Sequence, residues 1–138
     1  MSNFQPDHLD HLLAETSVVP AVNQIELHPH LQQQTAREYH AELGIATEAW
    51  SPLGSGKGIL EIPAIVAIAQ KHGRTPAQIV LRWHLQLGNV VIPKSVTPSR
   101  IAENIDVFGF TLDTEDLAAI SALNEDRRTG PDPADVNG

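Results

Sequence analysis

The sequence of 138 residues contains no cysteine. Disulfide frameworks, thiolate metal sites and cysteine nucleophiles are therefore excluded, and the chain fits a reducing compartment. Basic residues are also few. Nine Lys and Arg stand against seventeen Asp and Glu, a formal net charge of -8. Such a chain is a poor partner for nucleic acid, because gripping a phosphate backbone takes a basic surface. A small anionic ligand is not excluded, since it needs only local positive charge. No apolar run approaches the ~20 residues that cross a bilayer, so no membrane partner is expected. Met1 is followed by polar Ser2, Asn3 and Gln5 rather than by a charged-then-apolar leader. Together these absences point to a cytoplasmic protein.

What is present describes a globular domain. Hydrophobic residues make up 41% and charged residues 19% of the chain, enough for one domain with a core. Apolar spacing predicts a helix over 6–15, with Leu9, Leu12 and Leu13 on one face. A strand is predicted over 19–27 and a helix over 32–43, with Ala36, Tyr39, His40 and Leu43 spaced for burial and Gly44 as its stop. A second strand covers 45–51, followed by the glycine-rich loop 52–58. Two helices come next, one ending near Gly73. The other is announced by Thr75 as cap, Pro76 at the first helical position and Gln78 completing a capping box. Val90, Val91 and Ile92 read as a short strand covered on both faces, and 113–123 as a last helix. The polar, Pro- and Gly-rich stretch 126–138 reads as a surface tail. Strands alternating with helices imply a parallel sheet with right-handed crossovers. Periodicity alone leaves two architectures open: an open doubly wound sheet, or part of a (β/α) barrel. A complete barrel needs eight strands over ~250 residues, and only three full strands are evident.

The richest stretch is 89–104. After the strand and Pro93 come Lys94 and Ser95, then Thr97 as a cap position, Pro98 at the first helical turn, Ser99 and Arg100. Backbone N–H groups, the positive helix end, two cations and hydroxyls converge there, which is what an anionic phosphate requires. The other strands also end in functional groups: Gln24, Glu26 and His28 on the first, Glu48, Trp50 and Ser51 on the second. In parallel α/β folds ligands bind at the carboxyl ends of the strands. Trp50 offers a flat face for stacking and Gln24 an amide for hydrogen bonding.

Four motifs in order, Ser2-Asn3-Phe4, Val22 to Pro29, Ala49-Trp50-Ser51-Pro52-Leu53-Gly54 and Ile92-Pro93-Lys94-Ser95, resemble the successive signatures of the aldo-keto reductases. Arg100 to Asn104 continues the last one, and the likeness runs to about Pro133. The resemblance implies the C-terminal half of a (β/α)8 TIM barrel, with parallel strands and outer helices, and one partial domain spanning 1–138. It implies an NADP(H)-dependent reductase of aldehydes and ketones. By position, Ser2, Asn3 and Gln24 would bond the nicotinamide carboxamide and Trp50 would stack on the nicotinamide ring. Ser51, Leu53 and Gly54 would line the pyrophosphate. Lys94, Ser95, Val96, Thr97 and Arg100 would hold the adenosine 2′-phosphate end, with Glu103 and Asn104 at the adenine.

The family's catalytic Tyr, Lys, Asp and His precede the Ser-Asn motif, at which this chain begins. The expectation is a cofactor shelf without its proton donor: no catalytic residue is assigned, and Tyr39 is not promoted to the role. A small carbonyl substrate is expected only if an N-terminal half completes the barrel. The alternative is a non-catalytic dinucleotide-binding module or a half-barrel that self-associates through exposed sheet edges. The remaining motifs carry less. His28-Pro29-His30 lacks a third metal ligand, and His8 and His11 read as solvated surface. Gly54-Ser55-Gly56-Lys57-Gly58 lacks Walker spacing. Glu26 and Glu48 read as residues bonded in the barrel interior.

Overall fold

Four helices open on a proline, which has no N–H to lose there and a backbone angle already suited to the first turn. They are α1 (Pro6–Glu15), α3 (Pro63–His72), α4 (Pro76–Gln86) and α5 (Pro98–Ile105). The other two are α2 (Gln34–Leu43) and α6 (Thr114–Ser121). In the computed structural model, which describes residues 1–135, α4 carries the expected capping box. Gln78 N–H donates to Thr75 Oγ1 (3.3 Å) and Thr75 N–H donates to Gln78 Oε1 (3.0 Å). Asp113 caps α6 in the same manner, and α2 stops at Gly44 with φ +72.

The strands β1 (Val22–Glu26), β2 (Ala46–Trp50) and β3 (Val90–Val91) form a parallel sheet in the order β1-β2-β3. The β1–β2 register runs from Val22 opposite Ala46 to Glu26 opposite Trp50, and Ala49 faces Val91. Ser2 makes a parallel bridge to Gln24 on the far side of β1, so the Ser2-Asn3 motif starts a fourth row. All the sequence-predicted strand ends therefore meet along one rim. Ile25, Leu27, Ala49, Ile65, Ile79, Val80, Trp83 and Ile120 form the core beneath the sheet, where it meets α3, α4 and α6.

Three expectations need correction. The first strand is shorter than predicted, because β2 offers partners only from Val22 on, and Val18 and Val19 are exposed. The run 90–92 is not covered on both faces: Val90 is 45% and Ile92 58% exposed. The reason is position, since β3 pairs with β2 alone and stands at the edge of the described sheet. On α2, Ala36 and His40 are buried, but Tyr39 and Leu43 are only half-buried. The tail is at the surface, yet 128–130 and 132–133 are half-buried because they fold back onto the strand ends. Positions 136–138 of the expected tail lie outside the described residues.

Candidate cofactor site

The turn after β3 and the first turns of α5 form one wall of a cavity of about 370 Å³. Lys94, Ser95, Val96, Thr97, Arg100, Glu103 and Asn104 all line it, and Leu53 closes it from the loop after β2. Eight residues expected at the cofactor thus surround a single space. Thr97 is the N-cap of α5, but its side chain makes no capping bond. Instead Thr97 N–H donates to Ser95 Oγ (3.2 Å), which tightens the turn that carries Lys94. Among the described residues, the paired lysines and arginines are Lys71, Arg74, Arg127 and Arg128; Lys94 and Arg100 are not among them. Two cations beside a helix start, over an apolar floor, suit a phosphate attached to a flat ring. The opposite wall was not anticipated. Leu60, Thr75, Pro76 and Ala77 supply it. The signal was the Thr75-Pro76 helix start, whose place beside α5 no local pattern reveals.

A second cavity, about 1060 Å³, opens beside Trp50 and is lined by Ser2, Asn3, Phe4 and His8 and by Pro131 and Pro133 of the tail. Trp50 Nε1–H donates to Asn3 Oδ1 (2.8 Å), which fixes the indole plane. Asn3 holds a left-handed backbone (φ 59), as does Ser51 (φ 50), and such strain in non-glycine residues concentrates at functional sites. Asn23 holds the Ser-Asn-Phe segment in place. It accepts from Phe4 N–H (3.3 Å) and donates to the Phe4 carbonyl (2.8 Å). Its Nδ2 also donates to His40 Nε2 (2.9 Å), and His40 Nδ1–H donates to Thr47 Oγ1 (2.9 Å). Burial lowers the His40 pKa, so the ring is the neutral relay this chain of bonds requires.

Gln24 does not line either cavity. Its side-chain amide donates to Glu48 Oε1 inside the sheet, and its backbone joins Met1 and Asn3. The interior role expected for the two carboxylates is observed. Glu26 accepts from Thr129 N–H (2.5 Å), Thr129 Oγ1–H (2.6 Å) and Gly130 N–H (3.1 Å). Burial alone would raise its pKa, but these bonds, with one from His28, outweigh burial and keep the carboxyl below its ordinary value. The tail is thereby tied across the strand ends. Gly130 lies against the indole so closely that a Cβ there would sit 2.7 Å from Trp50 Cη2.

The Ser51–Gly54 loop bridges the two cavities. Ser55 Oγ–H donates to Ser51 Oγ (2.7 Å). Gly54 has φ +72, and a Cβ would fall 2.2 Å from Ile59 Cγ1, so both backbone and space demand glycine. The loop is held from below by His84. Its Nε2–H donates to the Pro52 carbonyl (3.2 Å), and Asn89 Nδ2 donates to Nδ1 (3.3 Å). Complete burial pushes the His84 pKa down to about 3, so it stays neutral with one tautomer. His84 has no motif of its own, and only its place under the loop reveals the role. Tyr39 stands apart: its hydroxyl donates to Asp10 of α1, and that bond raises its pKa. His28 and His30 do not face a shared metal; they bond Glu26 and the Leu123 carbonyl.

A sequence profile described as "Aldo/keto reductase family" matches residues 57–125. The chain belongs to the aldo/keto reductase family. It is 60% identical to an aldo-keto reductase of Mycolicibacterium smegmatis, over 99% of this chain and 50% of that protein. It is 54% identical to methylglyoxal reductase DkgA of Escherichia coli, again over 99% of this chain and 50% of that protein. A solved structure of a Gox0644 mutant in complex with NADPH superposes with a TM-score of 0.95 at 54% identity, covering 99% of this chain and 51% of that one. A more distant aldo-keto reductase, AKR2E5 complexed with NADPH, superposes at 0.86 with 37% identity, over 94% of this chain and 43% of that one. The chain therefore spans about half the length of the aldo-keto reductases it matches. Among its described residues, no helix is long and apolar enough to cross a membrane.

Proposed function

We propose that this chain is the NADP(H)-binding half of an aldo-keto reductase, and that it reduces small carbonyl compounds to alcohols only when a further barrel half supplies the proton donor. The observation that carries this reading is the cavity between Leu53, Lys94 and Arg100, in which eight expected cofactor residues meet. The NADPH complexes of two structural relatives support the choice of cofactor. When bound, NADPH supplies the hydride. Lys94 and Arg100 hold the 2′-phosphate, with Ser95, Val96 and Thr97 shaping its turn, and Glu103 and Asn104 flank the adenine. Ser51, Leu53 and Gly54 pass the pyrophosphate across. Trp50, fixed by Asn3, stacks on the nicotinamide, whose carboxamide meets Ser2, Asn3 and Gln24. For Gln24 this requires exchanging its bond to Glu48. The reading places the protein in the cytoplasm.

Titration with NADPH tests it. Trp50 fluorescence is expected to quench saturably, against the constant signal of buried Trp83. Lys94→Ala with Arg100→Ala is expected to weaken NADPH far more than NADH, because only the former has the 2′-phosphate. A flat titration, or equal weakening of both nucleotides, would refute it. The purified chain alone is expected to leave a panel of aldehydes unreduced. General acid catalysis contributes ~10²–10⁴-fold, and Tyr39 is bonded elsewhere. Robust turnover would show that this half is sufficient.

A second reading, a non-catalytic self-assembling half-barrel, is favoured by one feature: β3 is a sheet edge beside exposed Ile92, Ile101 and Ile105. Light scattering on the purified chain is expected to give a dimer in that case, and a monodisperse monomer would exclude it.

A further inference from the structure

Trp50 is pinned at two places, and only one of them belongs to the cofactor motifs. Its Nε1–H donates to Asn3 Oδ1 (2.8 Å). The far end of the indole rests on Gly130 of the tail. A Cβ at position 130 would sit 2.7 Å from Trp50 Cη2 and 3.4 Å from Glu26 Oε2, so this glycine is wedged between the ring and a carboxylate. Glu26 is not among the residues expected at NADP(H).

Glu26 ends β1 and is 1% exposed. Among the described residues no lysine or arginine pairs with it. Its charge is met by hydrogen-bond donors alone. Oε1 accepts from Thr129 N–H (2.5 Å), Thr129 Oγ1–H (2.6 Å) and His28 Nε2–H (2.9 Å), and Oε2 from Gly130 N–H (3.1 Å). Three of these four donors belong to the tail. Hydrogen bonds to an ionised carboxylate are roughly twice as strong as neutral ones. The tail has other ties on either side. Arg127 N–H donates to the His30 carbonyl (3.1 Å), and Gln5 Nε2–H donates to Asp132 Oδ1 (3.1 Å). Glu26 therefore does not decide whether the tail is attached. It decides where 129 and 130 stand, and Gly130 limits where the far edge of the indole can go.

We propose that Glu26 is a positioning residue for Trp50, acting through Thr129 and Gly130 to hold the indole in the plane on which a flat ring can stack. That the flat ring is a nicotinamide rests on the NADP(H) reading above; the seating of the indole does not. The arrangement asks for a carboxylate. In Glu26→Gln, either orientation of the amide turns its NH2 on a backbone N–H, that of Gly130 or that of Thr129, and the tail must step back.

Two measurements on the full chain test this. Acrylamide quenching of tryptophan fluorescence reports Trp50, since Trp83 is buried. Glu26→Gln is expected to raise it, because Gly130 no longer covers the ring edge. Isothermal titration compares NADPH with adenosine 2′,5′-bisphosphate, which carries the 2′-phosphate but no nicotinamide. Glu26→Gln is expected to weaken NADPH by ~5-fold, the size of a lost aromatic stack, and to leave the bisphosphate unchanged. Thr129→Val, which keeps the shape and loses the hydroxyl, should move both readouts the same way by less. Thr129→Ser, which keeps the hydroxyl, should restore them. This half-buried pair carries the test if the buried Glu26→Gln variant does not fold. Unchanged acrylamide quenching would overturn the proposal, as would wild-type behaviour of Thr129→Val. Equal weakening of both ligands would make Glu26 a residue of general stability and overturn it too. A wild-type chain that binds neither ligand would defeat the NADP(H) reading and the nicotinamide role of Glu26, while acrylamide quenching alone judges the seating of the indole.

Discussion

Helices α4 and α5 begin with the same dipeptide, Thr-Pro, and end in opposite circumstances. In α4 the threonine and Gln78 cap each other, and Gln78, Ile79, Val80, Leu81, Trp83 and His84 are all buried. In α5 the threonine makes no capping bond and no residue is buried, although its apolar residues are strongly one-sided. Ile101 and Ile105 face outward at 53% and 69% exposure. Both helices nevertheless wall the same cavity, through Thr75-Pro76-Ala77 on one side and Thr97 to Asn104 on the other. The contrast separates two duties. α4 is fixed by packing and gives the site its position. α5 buries nothing, is tied to α4 at its far end by Gln78, whose Nε2 donates to the Glu103 (3.1 Å) and Asp106 (3.0 Å) carbonyls, and gives the site its charge.

The widest separation is expected from core truncation. Trp83→Ala should cost ~3–5 kcal/mol in urea denaturation, the usual range for a fully buried aromatic. Ile101→Ala should stay within about 0.5 kcal/mol, as exposed sites do. A large loss at Ile101 would mean that a second copy of the chain covers α5, and the contrast would fail. Next in size is the charge carried by the α5 side. Losing Lys94 and Arg100 together should weaken NADPH by ~10²-fold, about 1.5 kcal/mol for each charge-assisted bond, and change NADH by less than ~3-fold. Fluorescence titration of both nucleotides reads this directly.

Acid should act through α4 and its surroundings rather than through α5. His84 is neutral in the fold down to about pH 3, whereas an unfolded histidine takes a proton near pH 6.5. Below about 6.5 the unfolded chain therefore binds more protons, and stability falls as pH falls. The loss from His84 should reach about 2 kcal/mol by pH ~5. His40 and His28, whose pKa values are also lowered by burial, add to it with the same sign. Urea midpoints measured through this range check the slope, and His84→Gln should flatten it. The smallest expected difference lies at the caps. Thr75→Ala should cost ~1 kcal/mol, and Thr97→Ala only a few tenths, because Thr97 has no capping bond to lose. Equal costs would erase the distinction between the two helix starts.

Much of this was legible in the sequence because it is local. Pro at a first helical position, Gly44 and Gly73 after helices, and the Thr75–Gln78 pair each declare a boundary within four residues. The gathering of Lys94 to Asn104 around one space was legible for the same reason, since a turn and a helix start put them there. What escaped depends on partners distant in the chain. His84 supports Pro52 across 32 positions, and Thr129 and Gly130 reach Glu26 across more than 100. The burial predicted for 90–92 failed in a related manner. Its β-branched run reports that a strand is favoured, but how many neighbours the strand has is decided by the rest of the sheet.

The contact between Gly130 and Trp50 has one further consequence. Gly130 has ordinary backbone angles, so nothing but the indole forbids a side chain there. What position 130 can carry is therefore set by position 50, eighty residues away. A relative that carries a smaller residue at the position of Trp50 is free to carry a side chain at 130, and one that keeps the tryptophan is held to glycine. Replacement of the ring must therefore come before any side chain at 130, and a library that randomises position 130 alone is expected to recover mostly glycine.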